Sequence, residues 1–196
     1  MSDNTDLEAL RQGFRLFNPF MVGLWRLGLG SWLNSWPSVG GRILVLVHRG
    51  RKTGMARHTP VNYAMVGGDL FCVAGFGGRS DWYQNIMAQP RIEVWLPNGW
   101  WEAEAEDVSD SPGRLSAVRQ VIIASGFAGR LAGLDAQRMP DEALREATAP
   151  YRLVRLRLTG ERSGAGGPGG LAWVWPTATF VLLLVLGLRR RSRRCR

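Results

Sequence analysis

Residues that hold metals or perform covalent catalysis are scarce in this chain. It has two cysteines and two histidines among 196 residues. Cys72 lies in an apolar run and Cys195 lies among arginines, so no disulfide framework is indicated. His48 and His58 have no cysteine or carboxylate at metal-ligand spacing, and no Ser-His-Asp arrangement accompanies them. The sequence therefore predicts neither a metal site nor a catalytic nucleophile.

Basic charge is abundant but unevenly placed. The formal net charge is +9. Residues 160–196 contain seven arginines and one glutamate and so carry +6, which leaves +3 for residues 1–159. A nucleic-acid-binding domain needs a basic face of its own, and residues 1–159 lack the composition for one. We therefore expect no nucleic-acid partner.

Residues 1–38 are expected to form a helical segment. Apolar side chains recur there at helical spacing, and Pro19 with several glycines divides the pattern into two short helices. Tryptophan is dense in this segment, at Trp25, Trp32 and Trp36. Two interpretations stay open: helices that pack on the main domain, or an amphipathic wall that faces a substrate pocket or a membrane surface.

Residues 39–159 have the pattern of a β-rich domain. Gly67-Gly68-Asp69 is a hairpin turn between two apolar segments. The expected strands are Arg42–Val47, His58–Val66, Leu70–Ala74, Ile92–Leu96, Trp100–Val108 and Arg152–Leu158. The expected helices are Asp81–Ala88, Pro112–Ser125 and Asp141–Ala149. Six strands with a few helices predict a mainly β, α+β fold built on a small, partly closed antiparallel barrel.

The composition changes after residue 159. Residues 160–170 are rich in glycine and predict a linker, and residues 171–188 contain 18 consecutive uncharged positions. Trp173 and Trp175 stand at one end of this stretch and the arginine-rich tail 189–196 at the other, which favours a transmembrane helix over a buried core helix. We expect membrane association through this segment, with the catalytic domain in the cytoplasm. The arginine pattern leaves the orientation of the segment open.

The most informative stretch is the basic turn Gly50-Arg51-Lys52-Thr53-Gly54, which Arg57, Thr59 and Pro60 follow. Two glycines bracket a tight turn whose backbone amides can face an anion. The guanidinium forks of Arg51 and Arg57 suit phosphate or carboxylate, and Lys52 adds a mobile point charge. From these residues alone, an anion site between two strands and a solvated basic hairpin are equally supported.

Two further motifs follow this turn in a specific order. They are the loop Ala74-Gly75-Phe76-Gly77-Gly78 and the run Asp81-Trp82-Tyr83-Gln84-Asn85, with Pro90 after it. With these motifs, over about residues 18–158, the chain resembles the deazaflavin-dependent nitroreductase family. The resemblance implies a split β-barrel of the flavin-reductase type over residues 39–159. It also implies the deazaflavin coenzyme F420, with FMN as the alternative that related barrels use.

The resemblance further implies which residues contact the coenzyme. Arg51, Lys52, Thr53 and Arg57 would hold its anionic phosphate and glutamate tail. The residues expected to line the barrel beside the ring are Pro60 and Asn62.

The glycine loop and the helix after it would complete the site. Glycines let backbone approach the ring or phosphate without a β-carbon in the way, and Ala74, Gly75, Gly77 and Gly78 would do so. Trp82 and Asn85 would close the pocket, with Tyr83 packing behind them. Phe76 stands where some family members have a lysine, and Arg79 lies nearby to compensate.

The implied reaction is hydride transfer from the reduced coenzyme to a small hydrophobic, electron-poor acceptor, either quinone-like or a nitro compound. Asn62 stands where some nitroreductases have a tyrosine, and an amide is a poor proton source, which argues against nitroimidazole activation. The alternative function is a non-catalytic split barrel that binds a lipid or fatty acid, which the loss of the loop lysine at Phe76 favours. Because split barrels often pair, we also expect a homodimer.

Overall fold

The computed structural model describes residues 13, 17–35, 40–126, 129 and 133–194. Its strands are β1 Ile43–Arg49, β2 Ala56–Val66, β3 Asp69–Ala74, β4 Arg91–Leu96, β5 Gly99–Asp107 and β6 Arg152–Arg162. Its helices are α1 over residues 17–26, α2 Gly30–Asn34, α3 Asp81–Ala88, α4 Arg114–Ala124, α5 Asp141–Ala147 and α6 Val174–Arg194. The predictions for residues 1–12, 14–16 and 36–38 lie outside the described residues.

The six strands form a closed antiparallel barrel in the order β1-β2-β3-β6-β5-β4. Closure comes from the pairing of β1 with β4, where Val45 lies opposite Trp95 and Val47 opposite Glu93. The predicted α+β fold with an antiparallel barrel is therefore confirmed, and the barrel is fully rather than partly closed. The Gly67-Gly68 hairpin joins β2 to β3 as predicted.

Alternate side chains of the strands fill the inside of the barrel. This core contains Leu44, Leu46, Tyr63, Leu70, Cys72, Ile92, Val94, Leu96, Ala103, Ala105, Val154 and Leu156, with Ile86 from α3 closing one end. A small barrel has an interior just wide enough for its own side chains. A lipid or a coenzyme ring must therefore bind outside this packed interior.

Helices cover two parts of the outer wall. Residues of α4 and α5 pack with Leu153 of β6 in a second apolar cluster. On the other side, Trp25 of α1 packs with Val45 and Trp95 in a third. The Asn34 side chain accepts a hydrogen bond from the Ile43 amide and donates one to its carbonyl, both at 2.9 Å. Of the two interpretations of the N-terminal tryptophans, Trp25 supports packing on the barrel, whereas Trp32 is 62% exposed.

The segment after β6 is bound to the barrel wall. β6 continues to Arg162, beyond the predicted strand end at Leu158. Gly167 is buried beside the Trp100 ring, and the Gly169 amide donates a 2.9 Å hydrogen bond to the Trp25 carbonyl. We call residues 163–173 the C-terminal strap. Glycine-rich composition predicts a linker here, and the chain instead follows the protein surface back to α1. The proposed division into domains stays a prediction.

The transmembrane helix predicted over residues 171–188 is not supported. In the part of the chain that the structure describes, no helix combines the length and the apolar character needed to cross a membrane. Residues 171–173 form turns, and the helix begins only at Val174. The Leu171 amide donates a 2.8 Å hydrogen bond to the Arg26 carbonyl instead of joining the helix. The uncharged helical residues 174–188 then span about 22 Å at about 1.5 Å per residue. Large apolar side chains of this helix are exposed from Phe180 to Leu186.

Candidate active site

The basic turn closes on itself at one end of the barrel. The Gly50 carbonyl accepts hydrogen bonds from the amides of Thr53 at 3.2 Å and Gly54 at 2.7 Å, and the Gly50 amide donates to the Met55 carbonyl. The Arg57 side chain lies across the start of the turn, since its Nε is 2.8 Å from where a β-carbon on Gly50 would stand. A β-carbon at Gly50 would therefore force the exposed Arg57 side chain to shift. The turn is therefore compact, and Arg57 lies against its backbone.

Helix α3 fixes the position of this turn. The buried Asn85 carboxamide oxygen accepts hydrogen bonds from the Arg51 backbone amide and from Arg51 Nη1, each at 3.0 Å. Arg51 Nη1 also lies 3.2 Å from an Asp81 carboxylate oxygen. The two bonds to Asn85 join residues 34 positions apart. Arg51 and Asn85 are thus brought together, with their polar groups directed at each other.

Lys52 and Arg57 are the turn's unpaired cations. Both side chains are exposed, and neither forms an ion pair with any acid among the residues described. Arg49 donates to the Gly54 carbonyl at 3.3 Å and adds a third positive charge on the same hairpin. Thr53 is exposed beside them, and its hydroxyl accepts a weak hydrogen bond from the Met55 amide at 3.4 Å.

The glycine loop reaches the same end of the barrel from β3. Ala74 is buried in the last position of β3, and Gly75 is exposed. Gly77 has φ +59°, and a β-carbon there would lie 2.4 Å from the Pro150 carbonyl oxygen, so only glycine fits. Gly78 has open space around it, and its carbonyl accepts a 2.7 Å hydrogen bond from Gln84 of α3. The loop and the basic turn are therefore both attached to α3.

Three side chains near the start of α3 are only partly anticipated by the sequence. Trp82 is half-buried and packs on the barrel core, where its ring meets Tyr83 edge-on at 6.4 Å between centroids. The Tyr83 hydroxyl donates to the Asp107 carboxylate, and burial together with this bond raises the pKa of Tyr83 to about 12. Ser80 is 5% exposed, and its hydroxyl oxygen has no hydrogen-bond partner among the described residues. A serine before a helix predicts a capping bond, which is not formed here.

Pro60 and Asn62 lie away from this group, farther along β2. They are opposite Val45 and Ile43 in the register, and their side chains are on the outer wall because Tyr63 points into the core. The Asn62 amide donates to the Arg42 carbonyl at 3.3 Å, near the opposite end of β1. The structure thus brings the turn, the glycine loop and α3 together at one end, and leaves Pro60 and Asn62 on the wall.

Two histidines flank the turn, each within a strand. His48 is 3% exposed, and its Nε2 lies 3.0 Å from the Thr59 hydroxyl, while Nδ1 has no partner in the described part of the chain. Burial lowers the pKa of His48 to about 4, and the neighbouring Arg57 cation contributes to the shift. The His58 ring lies 4.9 Å from the Trp95 ring at an interplanar angle of 53°, and burial lowers the pKa of His58 as well. The His48 ring is therefore neutral at neutral pH.

The two clearest clefts lie elsewhere on the surface. One of about 410 Å³ is lined by residues including Phe71, Glu106 and Arg155. The other, of about 350 Å³, is lined by residues including Arg42 and Gln120. None of the site residues expected from the sequence lines either cleft. The cations and exposed backbone of the candidate site therefore lie outside both clefts.

The chain was compared with known families and solved structures. Residues 29–137, more than half of the chain, match the family model of F420H(2)-dependent quinone reductases. The chain belongs to this family. It is therefore a deazaflavin-dependent reductase that uses coenzyme F420, which confirms the resemblance seen in the motifs. The non-catalytic lipid-binding alternative and the FMN alternative are set aside.

Two solved structures illustrate the similarity. A conserved hypothetical protein from Mycobacterium tuberculosis is 19% identical, with 71% of this chain and 90% of that chain covered and a TM-score of 0.43. An F420-H2 dependent reductase, FDR-A, is 18% identical, with 59% of this chain and 94% of that chain covered and a TM-score of 0.39.

The donors at the barrel end fit the coenzyme of this family. Its phosphate and glutamate tail is anionic, and the unpaired Lys52 and Arg57 supply complementary charge. The backbone is open at Gly54 and Gly78, where nothing lies within 4 Å of the place a β-carbon would occupy, so a bulky group can approach the chain there. The buried Ser80 hydroxyl, which lacks a partner among the described residues, is an additional polar group beside the loop.

Proposed function

We propose that the reductase binds the anionic tail of coenzyme F420 at the basic turn and passes its hydride to a hydrophobic, electron-poor acceptor, quinone-like or nitro. The observation that carries the proposal is the pair of exposed cations, Lys52 and Arg57, that meet no acid in the described part of the protein. Surface arginines and lysines usually gain from a nearby carboxylate. Two that have none, on a turn held rigid by Asn85, are suited to an external anion.

Different residues at this end of the barrel contact different parts of the coenzyme. Lys52, Arg57 and the Thr53 hydroxyl hold the phosphate and glutamate tail. The exposed Gly75 and Gly78 leave the backbone open beside the ring, the buried Ala74 and Gly77 hold the loop against the barrel, and Trp82 packs against the ring. Pro60 and Asn62 lie on the outer wall of β2, away from the turn and the glycine loop, so their contact with the ring stays a prediction.

The protein contributes orientation and electrostatics to the reaction. When bound and reduced, coenzyme F420 supplies the hydride. A quinone that accepts the hydride also takes up one proton and becomes a hydroquinone, while the coenzyme leaves oxidised. We assign no side chain as nucleophile, because hydride transfer requires none.

The family description supports a hydrophobic acceptor, whereas the exposed apolar rings of α2 and the strap lie at the barrel end opposite the basic turn. Phe20 of α1 and Trp32 of α2 are each 62% exposed, and so is Trp173 of the strap. The family description names quinone reduction. The predicted homodimer and membrane association stay open alongside this proposal.

A double variant tests the anion site. Lys52→Ala with Arg57→Ala should weaken coenzyme binding by about tenfold or more, since two charge-assisted contacts are lost. Binding is measured by quenching of the coenzyme fluorescence. The matched control, Arg138→Ala with Arg145→Ala, removes two exposed arginines that already pair with Asp135 and Glu142. Equal affinity of wild type and the double variant for the coenzyme would show that the basic turn does not bind it.

The acceptor class is tested by oxidation of the reduced coenzyme, followed by absorbance. A naphthoquinone, a benzoquinone and a nitroimidazole are compared at equal concentration. The proposal expects turnover with at least one quinone or nitro compound above the rate without protein. Oxidation no faster than this background with every acceptor would contradict it.

A further inference from the structure

Arg51 differs from the other cations of the basic turn because its charge is already balanced. Its Nη1 lies 3.2 Å from the Asp81 carboxylate and 3.0 Å from the Asn85 amide oxygen. Lys52 and Arg57 have no such partner in the described part of the chain. An anion that binds Nη1 of Arg51 must therefore compete with Asp81.

The two partners of Arg51 differ in how easily they can be replaced. Asn85 is 3% exposed and also accepts a hydrogen bond from the Arg51 backbone amide, so its loss would leave a partly buried donor unsatisfied. The Asp81 side chain is 66% exposed and contacts Arg51 at a single oxygen. Exposed ion pairs of this kind contribute little to stability, because water replaces the partner at small cost. Asp81 can leave Arg51 while Asn85 keeps the turn in place.

We propose that Asp81 is an internal carboxylate that occupies Arg51 until an anionic oxygen of the coenzyme tail displaces it. Asp81 thereby sets the affinity of the site for anions. This inference rests on the proposed function, since it requires the tail to bind at the basic turn. A guanidinium binds carboxylate and phosphate oxygens in the same way, so either group of the tail can take the place of Asp81.

The test is the affinity of Asp81→Asn for coenzyme F420, measured by fluorescence quenching at low ionic strength. Loss of the competing ion pair should tighten binding about two- to fivefold, the range that corresponds to an exposed pair. The gain should shrink as salt is added, because salt screens exposed charges. Unchanged or weaker binding overturns the proposal.

Two controls separate displacement from a general change in charge. Glu161→Gln removes an exposed acid of β6 at the opposite end of the barrel and should leave the affinity unchanged. In an Arg51→Met background, which keeps the backbone bond to Asn85, Asp81→Asn should give no gain. An equal gain in either control overturns the proposal.

Shortened coenzymes identify the displacing group. The deazaflavin chromophore without its tail should bind Asp81→Asn and wild type equally, and a gain there overturns the proposal. If Asp81→Asn already binds the phosphate-bearing form more tightly than wild type does, phosphate displaces Asp81. If the gain in affinity appears only when the glutamates are present, a carboxylate displaces it. If the Lys52 and Arg57 double variant loses affinity while Asp81→Asn gains none, this inference fails and the proposed function stands.

Discussion

The two ends of the barrel use arginine in opposite ways. At the end of the basic turn, Arg57 lies across Gly50 and is exposed, and it forms no ion pair in the described part of the protein. At the other end, Arg162 forms a 2.7 Å ion pair with Glu93, and its guanidinium lies 4.9 Å from the centre of the Trp100 ring. An arginine with a carboxylate and a ring against it holds the fold together, whereas one without them is available for a ligand.

The largest expected difference between the two ends is their stability in acid. His48, directly opposite Arg57 in the register, has its pKa lowered to about 4 by burial and by that cation, against 6.5 in an unfolded chain. Because the folded pKa is the lower one, the unfolded state takes up the proton first as the pH falls. The free energy of unfolding should therefore drop by up to about 3 kcal/mol between pH 6.5 and 4.

Denaturant unfolding at a series of pH values measures how the free energy of unfolding depends on pH. His48→Gln should reduce that dependence. Hydrogen exchange should show β1 and β2 losing protection in acid before the strap does. If the strap lost protection before β1 and β2, the acid-sensitive end would be the one opposite the basic turn, which would contradict the prediction.

Removal of the Asn85 amide should have the next largest effect. Asn85→Ala leaves the Arg51 backbone amide without its acceptor, which should cost about 2 kcal/mol in the free energy of unfolding. Asn85→Asp keeps the acceptor oxygen and should retain most of the stability while it weakens coenzyme binding through its negative charge. Chemical denaturation and fluorescence quenching measure the two quantities. Equal loss of stability in both variants would mean that the accepted hydrogen bonds are unimportant.

The smallest effect is expected at the opposite end. Arg162→Ala removes the ion pair with Glu93 and the contact with Trp100, at a cost of about 1 kcal/mol because the side chain is 38% exposed. Coenzyme affinity should not change. A clear loss of affinity in this variant would show that the two ends are coupled and that their separate roles are misassigned.

The parts of the fold that local pattern determines are predictable. Helix α3 begins at Asp81 and ends at Ala88 as predicted, since Ser80 and Pro90 bracket an apolar pattern of helical period. The strands follow from alternation and from the Gly67-Gly68 hairpin. The continuation of β6 to Arg162 does not follow from the pattern, because Thr159-Gly160-Glu161 lacks apolar residues and its pairing with β5 shifts register between Glu102 and Ala103.

Contacts between distant segments are not predictable from the sequence. The motif predicts that Arg51 holds the coenzyme, yet its bonds to Asn85 and Asp81 depend on how α3 lies against the turn. Glycine-rich composition is typical of flexible chain and predicts a linker at the strap, whereas the hydrogen bonds to the Trp25 and Arg26 carbonyls and the packing of Gly167 on Trp100 show otherwise. Tyr83 is expected only to pack, and its bond to Asp107 requires β5 to lie beside α3.

The closure of β1 on β4 restricts how the protein can associate with other molecules. Each of the six strands has a hydrogen-bonded neighbour on both sides, so no whole strand edge is open among the described residues. Open backbone is confined to the stretches beyond these pairings, such as residues 56–62 of β2 and 157–162 of β6 on their β3 sides. A second copy can also dock through side chains, and the exposed rings of Trp32 and Trp173 present apolar area for such docking.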